Sequence, residues 1–143
     1  MIREFKSEDI DEIMNIWLAS NIDAHKFIDE KYWISKYNDV KESILNAEIY
    51  VCDKNGIRGF VGIVDFYIAG LFVKKEFRKQ GIGKELLEFI KEKRSFLKLD
   101  VYELNENALR FYLDNDFVVM KKCFNEETDF QELSLLWEDS KDN

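Results

Sequence analysis

Arg78-Lys79-Gln80-Gly81-Ile82-Gly83 constrains this chain more than any other stretch, because it separates two segments of different hydrophobic period. Ahead of it, Ile68-Ala69-Gly70-Leu71-Phe72-Val73 is an apolar run of strand type; behind it, Leu86, Leu87, Phe89 and Ile90 recur at helical spacing. Two glycines one residue apart let the backbone turn without a Cβ penalty and leave the first amide N–H groups of the helix uncovered. Those amides, with the positive end of the helix dipole, can hold a phosphate. No acidic residue lies between Phe77 and Glu85, although acids normally favour a first helical turn; a bound anion explains their absence. Two familiar phosphate loops do not fit. A Walker loop needs glycine where Arg78 stands and Ser or Thr where Glu85 stands, and a dinucleotide loop needs glycine or alanine in place of Leu86.

With 143 residues, 46% of them hydrophobic, the chain suits one domain spanning residues 1–143. No apolar run is long enough to span a membrane, and Met1-Ile2-Arg3-Glu4-Phe5 lacks the layout of a secretory signal, so a cytoplasmic protein is expected. Cys52 and Cys123 lie in apolar, strand-like stretches without CxxC spacing, and a single histidine cannot complete a metal cluster with them. They read as reduced core residues, and no metal is expected. The net charge of −8 opposes a nucleic-acid partner and suits a cationic one, such as a lysine side chain, a protein N-terminus or a polyamine.

In chain order, Ile2 to Phe5 alternates as a strand, Ser7-Glu8-Asp9 supplies an N-cap, and Ile10, Ile13, Met14, Trp17 and Leu18 form the apolar stripe of a helix that fades after Ala19. Ser20 to Ile28, with His25 and Phe27, reads as a loop. A second helix starts near Asp29 and carries Tyr32, Trp33, Tyr37, Val40, Ile44 and Leu45. These aromatics either line a pocket or cap the core. Glu48 to Cys52 and Ile57 to Phe66 form a hairpin around Asn55-Gly56. Tyr67 to Val73 leads into the glycine loop, a helix runs from about Gly81 to Arg94, and Phe96 to Tyr102 returns as a parallel strand, completing a right-handed crossover. Asn107 to Leu113 is a short helix with Asn107 as its cap; Phe117 to Phe124 and Thr128 to Trp137 close the sheet, and the polar tail after Glu138 is loose. The class is therefore α/β (α+β), a mixed sheet of about seven strands with about four helices.

Arg78, Gly81 and Gly83 match the pyrophosphate loop of the GNAT superfamily, whose pattern is Arg or Gln, two residues, Gly, one residue, Gly or Ala. Asn105-Glu106-Asn107-Ala108-Leu109-Arg110-Phe111-Tyr112 is similar to its N-x-x-A-x-x-F-Y signature, and the element order is that of the family over essentially the entire chain. The sequence thus resembles an acyl-CoA-dependent N-acetyltransferase. Its opening Met-Ile-Arg-Glu, and His25-Lys26-Phe27-Ile28 followed by Tyr32-Trp33, resemble the small stand-alone bacterial GNATs of the YiaC type, a group that includes protein-lysine acetyltransferases. One departure is Asn115-Asp116-Phe117 where the family has Gly-Phe; Asn115 is expected to take the left-handed turn conformation.

The resemblance implies acetyl-CoA as cosubstrate and direct transfer of acetyl to a primary amine in a ternary complex. Backbone groups of Leu71, Phe72 and Val73 would hold the pantetheine and thioester. The pyrophosphate would lie on the amides of Gln80, Gly81, Ile82, Gly83 and Lys84, with charge from Arg78 and Lys79. Asn105 would bond the pantetheine or position the thiol, and Tyr112 would protonate the departing thiolate. His25, Phe27 and Tyr32 would contact the acceptor, a protein lysine, an N-terminus or a small cationic amine. The protein would act as a monomer or homodimer. Many relatives carry a carboxylate two residues before the Leu71 position, where this chain has Ala69, so the base is open among Asp65, Glu103 and His25. The rival function is a catalytically silent acyl-CoA sensor, against which Tyr112 and Asn105 together argue.

Overall fold

The structure, a computed structural model, describes residues 1–140. Seven strands, β1 (Ile2–Glu4), β2 (Glu48–Asp53), β3 (Ile57–Val64), β4 (Tyr67–Val73), β5 (Phe96–Tyr102), β6 (Val118–Asn125) and β7 (Phe130–Glu138), form one sheet in the order β1-β2-β3-β4-β5-β7-β6. Every neighbouring pair is antiparallel except β4 and β5. Four α-helices cover the sheet: α1 (Ile10–Ala24), α2 (Glu30–Leu45), α3 (Ile82–Lys91) and α4 (Glu106–Asp114). No described helix is long and apolar enough to cross a membrane.

The two sheet faces bury separate cores. On one, Leu86, Leu87 and Ile90 of α3, all fully buried, pack with Leu97, Leu99 and Val101 of β5 and Leu133 and Leu135 of β7. At about 1.5–3 kcal/mol for each such side chain removed from water, this helix is anchored by packing rather than by its own propensity. On the other face, Ile13, Met14, Ile16 and Trp17 of α1 and Trp33 and Ile44 of α2 meet Ile49, Val51 and Phe60. The period of two along β5 puts Tyr102 on this second face, opposite Val101.

The hairpin at Asn55-Gly56 is built as the dipeptide demands, with φ of 58° and 112° and the Gly56 amide donating to Asp53 Oδ1 at 3.1 Å. Several other expectations need correction. α1 does not fade at Ala19 but continues to Ala24, because the polar Ser20 and Asn21 are buried and Asn21 Nδ2 donates back to the Trp17 carbonyl at 2.9 Å. Its start is organised by Asp9 rather than Ser7: Asp9 accepts from the Lys6 amide and from two nitrogens of Arg3, which holds its carboxyl below the usual range. β3 stops at Val64, since Asp65 takes a left-handed φ of 55° to turn into β4. α3 ends at Lys91, and Arg94 instead pairs with Glu48. Cys52 is a core residue, but Cys123 is exposed on the edge strand β6. The amide of Asp139 donates to the Ser95 carbonyl at 2.8 Å, so the tail is tied down at its first residue; its end, residues 141–143, lies outside the described residues.

Candidate active site

β4 and β5 share a single register pair, Tyr67 with Lys98, beside which the Lys98 amide donates to the Phe66 carbonyl at 2.8 Å. Beyond it the strands part. The Lys74 amide donates to the Arg58 carbonyl on β3 at 2.8 Å, so alternation turns the backbone of Phe72 toward β3 as well, and that of Leu71 and Val73 toward the gap. Of the three residues expected to offer backbone groups there, Phe72 instead sends its ring into the α1 core, 5.4 Å from Phe60.

The glycine loop follows β4 and ends on the N-terminus of α3. Gly81 is its N-cap with φ of 84°, and the first intrahelical bond runs from the Glu85 amide to the Gly81 carbonyl at 2.9 Å, leaving the amides of Ile82, Gly83 and Lys84 without helical partners. A Cβ at Gly81 would meet nothing within 4 Å, so this glycine is required by its conformation and not by crowding. Gly83 serves a different purpose: a Cβ there would lie 3.4 Å from Phe111 Cζ and 3.7 Å from Leu71 Cδ2, so its bareness lets α3, α4 and β4 converge. Lys79 also adopts a left-handed φ of 65°. Ile82 is buried, which limits its contribution to the backbone, while Lys79, Gln80 and Lys84 are exposed. Arg78 is not a free cation. Its Nη1 donates to Asp23 Oδ2 at 2.8 Å and its Nε to the Val73 carbonyl at 3.3 Å, and the guanidinium holds the Asp23 carboxyl below the usual carboxylate range. An open depression on α3, lined by Gly81 and Lys84 of the loop, by Ile2 and Phe89, and by the acids Glu85, Glu88 and Glu92, has the wrong charge for a pyrophosphate.

The second motif starts at Asn105, and Asn105, not Asn107, caps α4: its Oδ1 accepts from the Ala108 amide at 3.3 Å. Two turns on, Tyr112 is 8% exposed, its ring held edgewise by Phe111 (5.2 Å) and Phe117 (5.4 Å). Burial pushes its phenol above the usual range, so it stays protonated at neutral pH. Among the described residues its hydroxyl has no hydrogen-bond partner, and it is not one of the two sealed, unpartnered side-chain polar atoms, Trp33 Nε1 and Thr128 Oγ1. α4 ends in a turn whose left-handed residue is Asp116, with φ of 72°, and not Asn115, with φ of −111°. Lys91 closes that turn by donating to the Asn115 carbonyl at 2.6 Å over the ring of Trp137.

His25, Phe27 and Tyr32 gather at the C-terminal end of β5, where His25 Nε2 lies 3.2 Å from Asn105 Nδ2. The His25 ring stacks on Trp33 at 5.1 Å and meets Tyr102 and Phe27 edgewise at 5.1 and 5.8 Å, and Phe27 meets Phe130 at 4.8 Å. Trp33 and His25 are buried, whereas Phe27 and Tyr32 remain half-buried, so this cluster caps the core and forms a wall at once. Burial, with Tyr102 and Glu127 nearby, pushes the Tyr32 phenol up to about 12. Asn21, Asp23, Tyr102 and Phe130 complete this region without having stood out in the sequence. A buried Asn late in an apolar helix was the one signal available.

Of the three candidate bases, Asp65 sits in the β3–β4 turn, Glu103 is paired with Lys122 at 2.8 Å, and burial lowers His25 to about 4. A carboxylate absent from that set, Asp100 of β5, lies two residues beyond the last β4–β5 pair, on the face away from α3; it accepts from Tyr67 Oη at 2.9 Å and Ser134 Oγ at 2.6 Å.

A parallel strand pair that parts and leads into an open helix N-terminus is the arrangement expected of an acyl-CoA-dependent N-acetyltransferase. The family model described as "Acetyltransferase (GNAT) domain" matches residues 45–119, and the chain belongs to that family. It is 31% identical to peptidyl-lysine N-acetyltransferase YiaC of Escherichia coli K12 over 140 residues, 96% of either chain. The fold superposes on the solution structure of apo-form YjaB from Escherichia coli with a TM-score of 0.80 and 22% identity, covering 98% of both chains. It superposes on an aminoglycoside 6'-N-acetyltransferase complexed with coenzyme A with a TM-score of 0.72 and 14% identity over 96% of both.

Proposed function

We propose that this enzyme transfers acetyl from acetyl-CoA to the ε-amine of a protein lysine by direct attack, without an acyl-enzyme intermediate. The observation that supports this reading is that α4 packs on the glycine loop beside the free edge of Leu71 and Val73, with Phe111 Cζ 3.4 Å from the Cβ position of Gly83, and that the next residue, Tyr112, is buried in the core these elements share. In it, the amides from Gln80 to Lys84 take the pyrophosphate, assisted by Lys79 and by Arg78 once the anion competes with Asp23. Leu71 and Val73 align the pantetheine as an added strand would be aligned, and Asn105 borders the thioester at the end of β5. Proximity supplies much of the rate.

Two proton transfers remain. Tyr112 donates to the departing thiolate, whose conjugate acid has a pKa of about 8.5, and burial keeps that proton in place until it is needed. A lysine with a pKa of about 10.4 is neutral only about once in two thousand at pH 7, so the acceptor must be deprotonated at the site. Asp100, exposed beside the point where β4 and β5 part, is the carboxylate that draws the ammonium in and passes its proton to solvent. The net charge of −8 and the likeness to a peptidyl-lysine acetyltransferase both support a cationic acceptor.

The test is acceptor choice. CoA release from acetyl-CoA, measured with lysine peptides, blocked-lysine peptides bearing a free N-terminus, and polyamines, should show kcat/KM highest for the lysine peptides. A preference for a polyamine would replace the acceptor assigned here, and no CoA release with any amine would favour a silent acyl-CoA sensor.

A further inference from the structure

We infer that His25 is a positioning residue: its Nε2 accepts from Asn105 Nδ2 at 3.2 Å and so fixes the rotamer with which Asn105 caps α4, the helix that carries Tyr112. The hydrogen-bond directions follow from elementary constraints. His25 Nδ1 lies 3.1 Å from the carbonyl of Asn21, which can only accept, so the ring hydrogen belongs on Nδ1 and Nε2 is left with a lone pair. Asn105 must then present its NH2 group to the ring. Its Oδ1 is thereby directed at the Ala108 amide, where the helix needs an acceptor. One assignment satisfies both ends of the amide, across eighty positions of sequence.

The ring cannot easily leave this pose. It is stacked on Trp33 and wedged against Tyr102, whose carbonyl accepts from the Asn105 amide at 3.0 Å. Its own backbone amide is held by the Asn21 carbonyl at 3.0 Å. Two residues earlier Asp23 grips Arg78. The last turn of α1 therefore ties the glycine loop to the cap of α4, and the aromatic wall holding His25 is the wall proposed to meet the acceptor. His25 acts through Asn105, not on substrate.

This inference rests on Tyr112 being the proton donor, and the test separates the two. Gln places an acceptor where Nε2 was, whereas Asn reaches only the Nδ1 position. His25→Gln should keep kcat within about threefold of wild type, and His25→Asn should lower it by about 10- to 100-fold, the cost of a small misplacement of a reacting group, with the KM for acetyl-CoA unchanged. Asn105→Asp keeps the cap and deletes the donor, so it serves if the His25 variants do not fold; it should lower kcat similarly, and the His25→Asn/Asn105→Asp double variant should be no worse than the poorer single. As the chain has one histidine, its imidazole nitrogens can be followed by NMR in the wild-type protein, where a neutral Nδ1–H tautomer is expected. Equal losses in the Gln and Asn variants, multiplicative losses in the double variant, an Nε2–H tautomer, or wild-type kcat in Asn105→Asp would each overturn the inference. Wild-type kcat in Tyr112→Phe would instead overturn the proton-donor reading, whereas a slow Tyr112→Phe beside indistinguishable His25 variants would overturn this inference alone.

Discussion

Arg78 Nη1 and Asp23 Oδ2 stand 2.8 Å apart, joining the loop before α3 to the last turn of α1. The pair occupies the cation that the pyrophosphate would otherwise use, and it is about one-third exposed on both sides. An exposed pair of this kind is worth about 0.2–1 kcal/mol. Asp23→Asn should therefore tighten acetyl-CoA binding by about 1.5- to 5-fold at low salt, with the gain shrinking as salt rises. Calorimetry on the two proteins decides this; weaker binding by Asp23→Asn would mean that Asp23 holds Arg78 in its productive pose.

The glycine loop offers a sharper test. A Cβ at position 81 meets no atoms within 4 Å, and Asp tolerates a left-handed φ better than most residues, so Gly81→Asp should remain folded. Its carboxylate would face the site proposed for the pyrophosphate, and acetyl-CoA binding should fall by more than about 100-fold through like-charge repulsion in a partly desolvated site. Unchanged CoA affinity in a folded Gly81→Asp variant would show that the anion binds elsewhere.

Much of this arrangement was legible in the residues alone. The order of elements, the crossover and the glycine loop follow from changes of hydrophobic period, which local chemistry and burial enforce together. What could not be read were pairings across the chain: Asp23 with Arg78, Asn105 with His25, and Asp100 with Tyr67 and Ser134. None of these leaves a periodic trace. The caps failed for a related reason, since Asn105 and Asn107 are chemically equivalent at the level of sequence, and the partner of Asn105 lies on another helix's end.

The turn after α4 shows the same limit, because the left-handed residue is Asp116 and not its neighbour Asn115. Asp in that conformation costs about 1 kcal/mol relative to glycine, part of which glycine forfeits through its freer unfolded chain. Asp116→Gly should stabilise the protein by about 0.5–1 kcal/mol in chemical denaturation. A neutral or destabilising result would mean that the Asp116 side chain contributes more than its strain costs.

His25 makes stability depend on pH. Burial lowers its pKa from 6.5 to about 4, so between those values the unfolded chain takes up a proton that the folded protein refuses. The sign follows: the contribution is fully present above pH 6.5 and is lost as pH falls toward 4. Its ceiling is about 3 kcal/mol, since each tenfold change in proton affinity is worth about 1.4 kcal/mol. His25→Gln should remove this part of the slope in urea titrations from pH 7 to 4.5. An identical slope in the variant would show that His25 titrates normally in the folded state.

The central claim, that a buried tyrosine on α4 gives its proton to the departing thiolate, is tested most directly by the kcat of Tyr112→Phe. The ring and its contacts with Phe111 and Phe117 survive the change, and the hydroxyl has no partner among the described residues to lose, so folding and acetyl-CoA affinity should be unchanged. Measured on a lysine peptide, kcat and kcat/KM should fall together by about 10²- to 10⁴-fold, and by less with an acyl donor whose thiol is more acidic. A Tyr112→Phe enzyme with wild-type kcat on that peptide would contradict the account, because the thiolate would then be protonated by water and Tyr112 would serve packing alone.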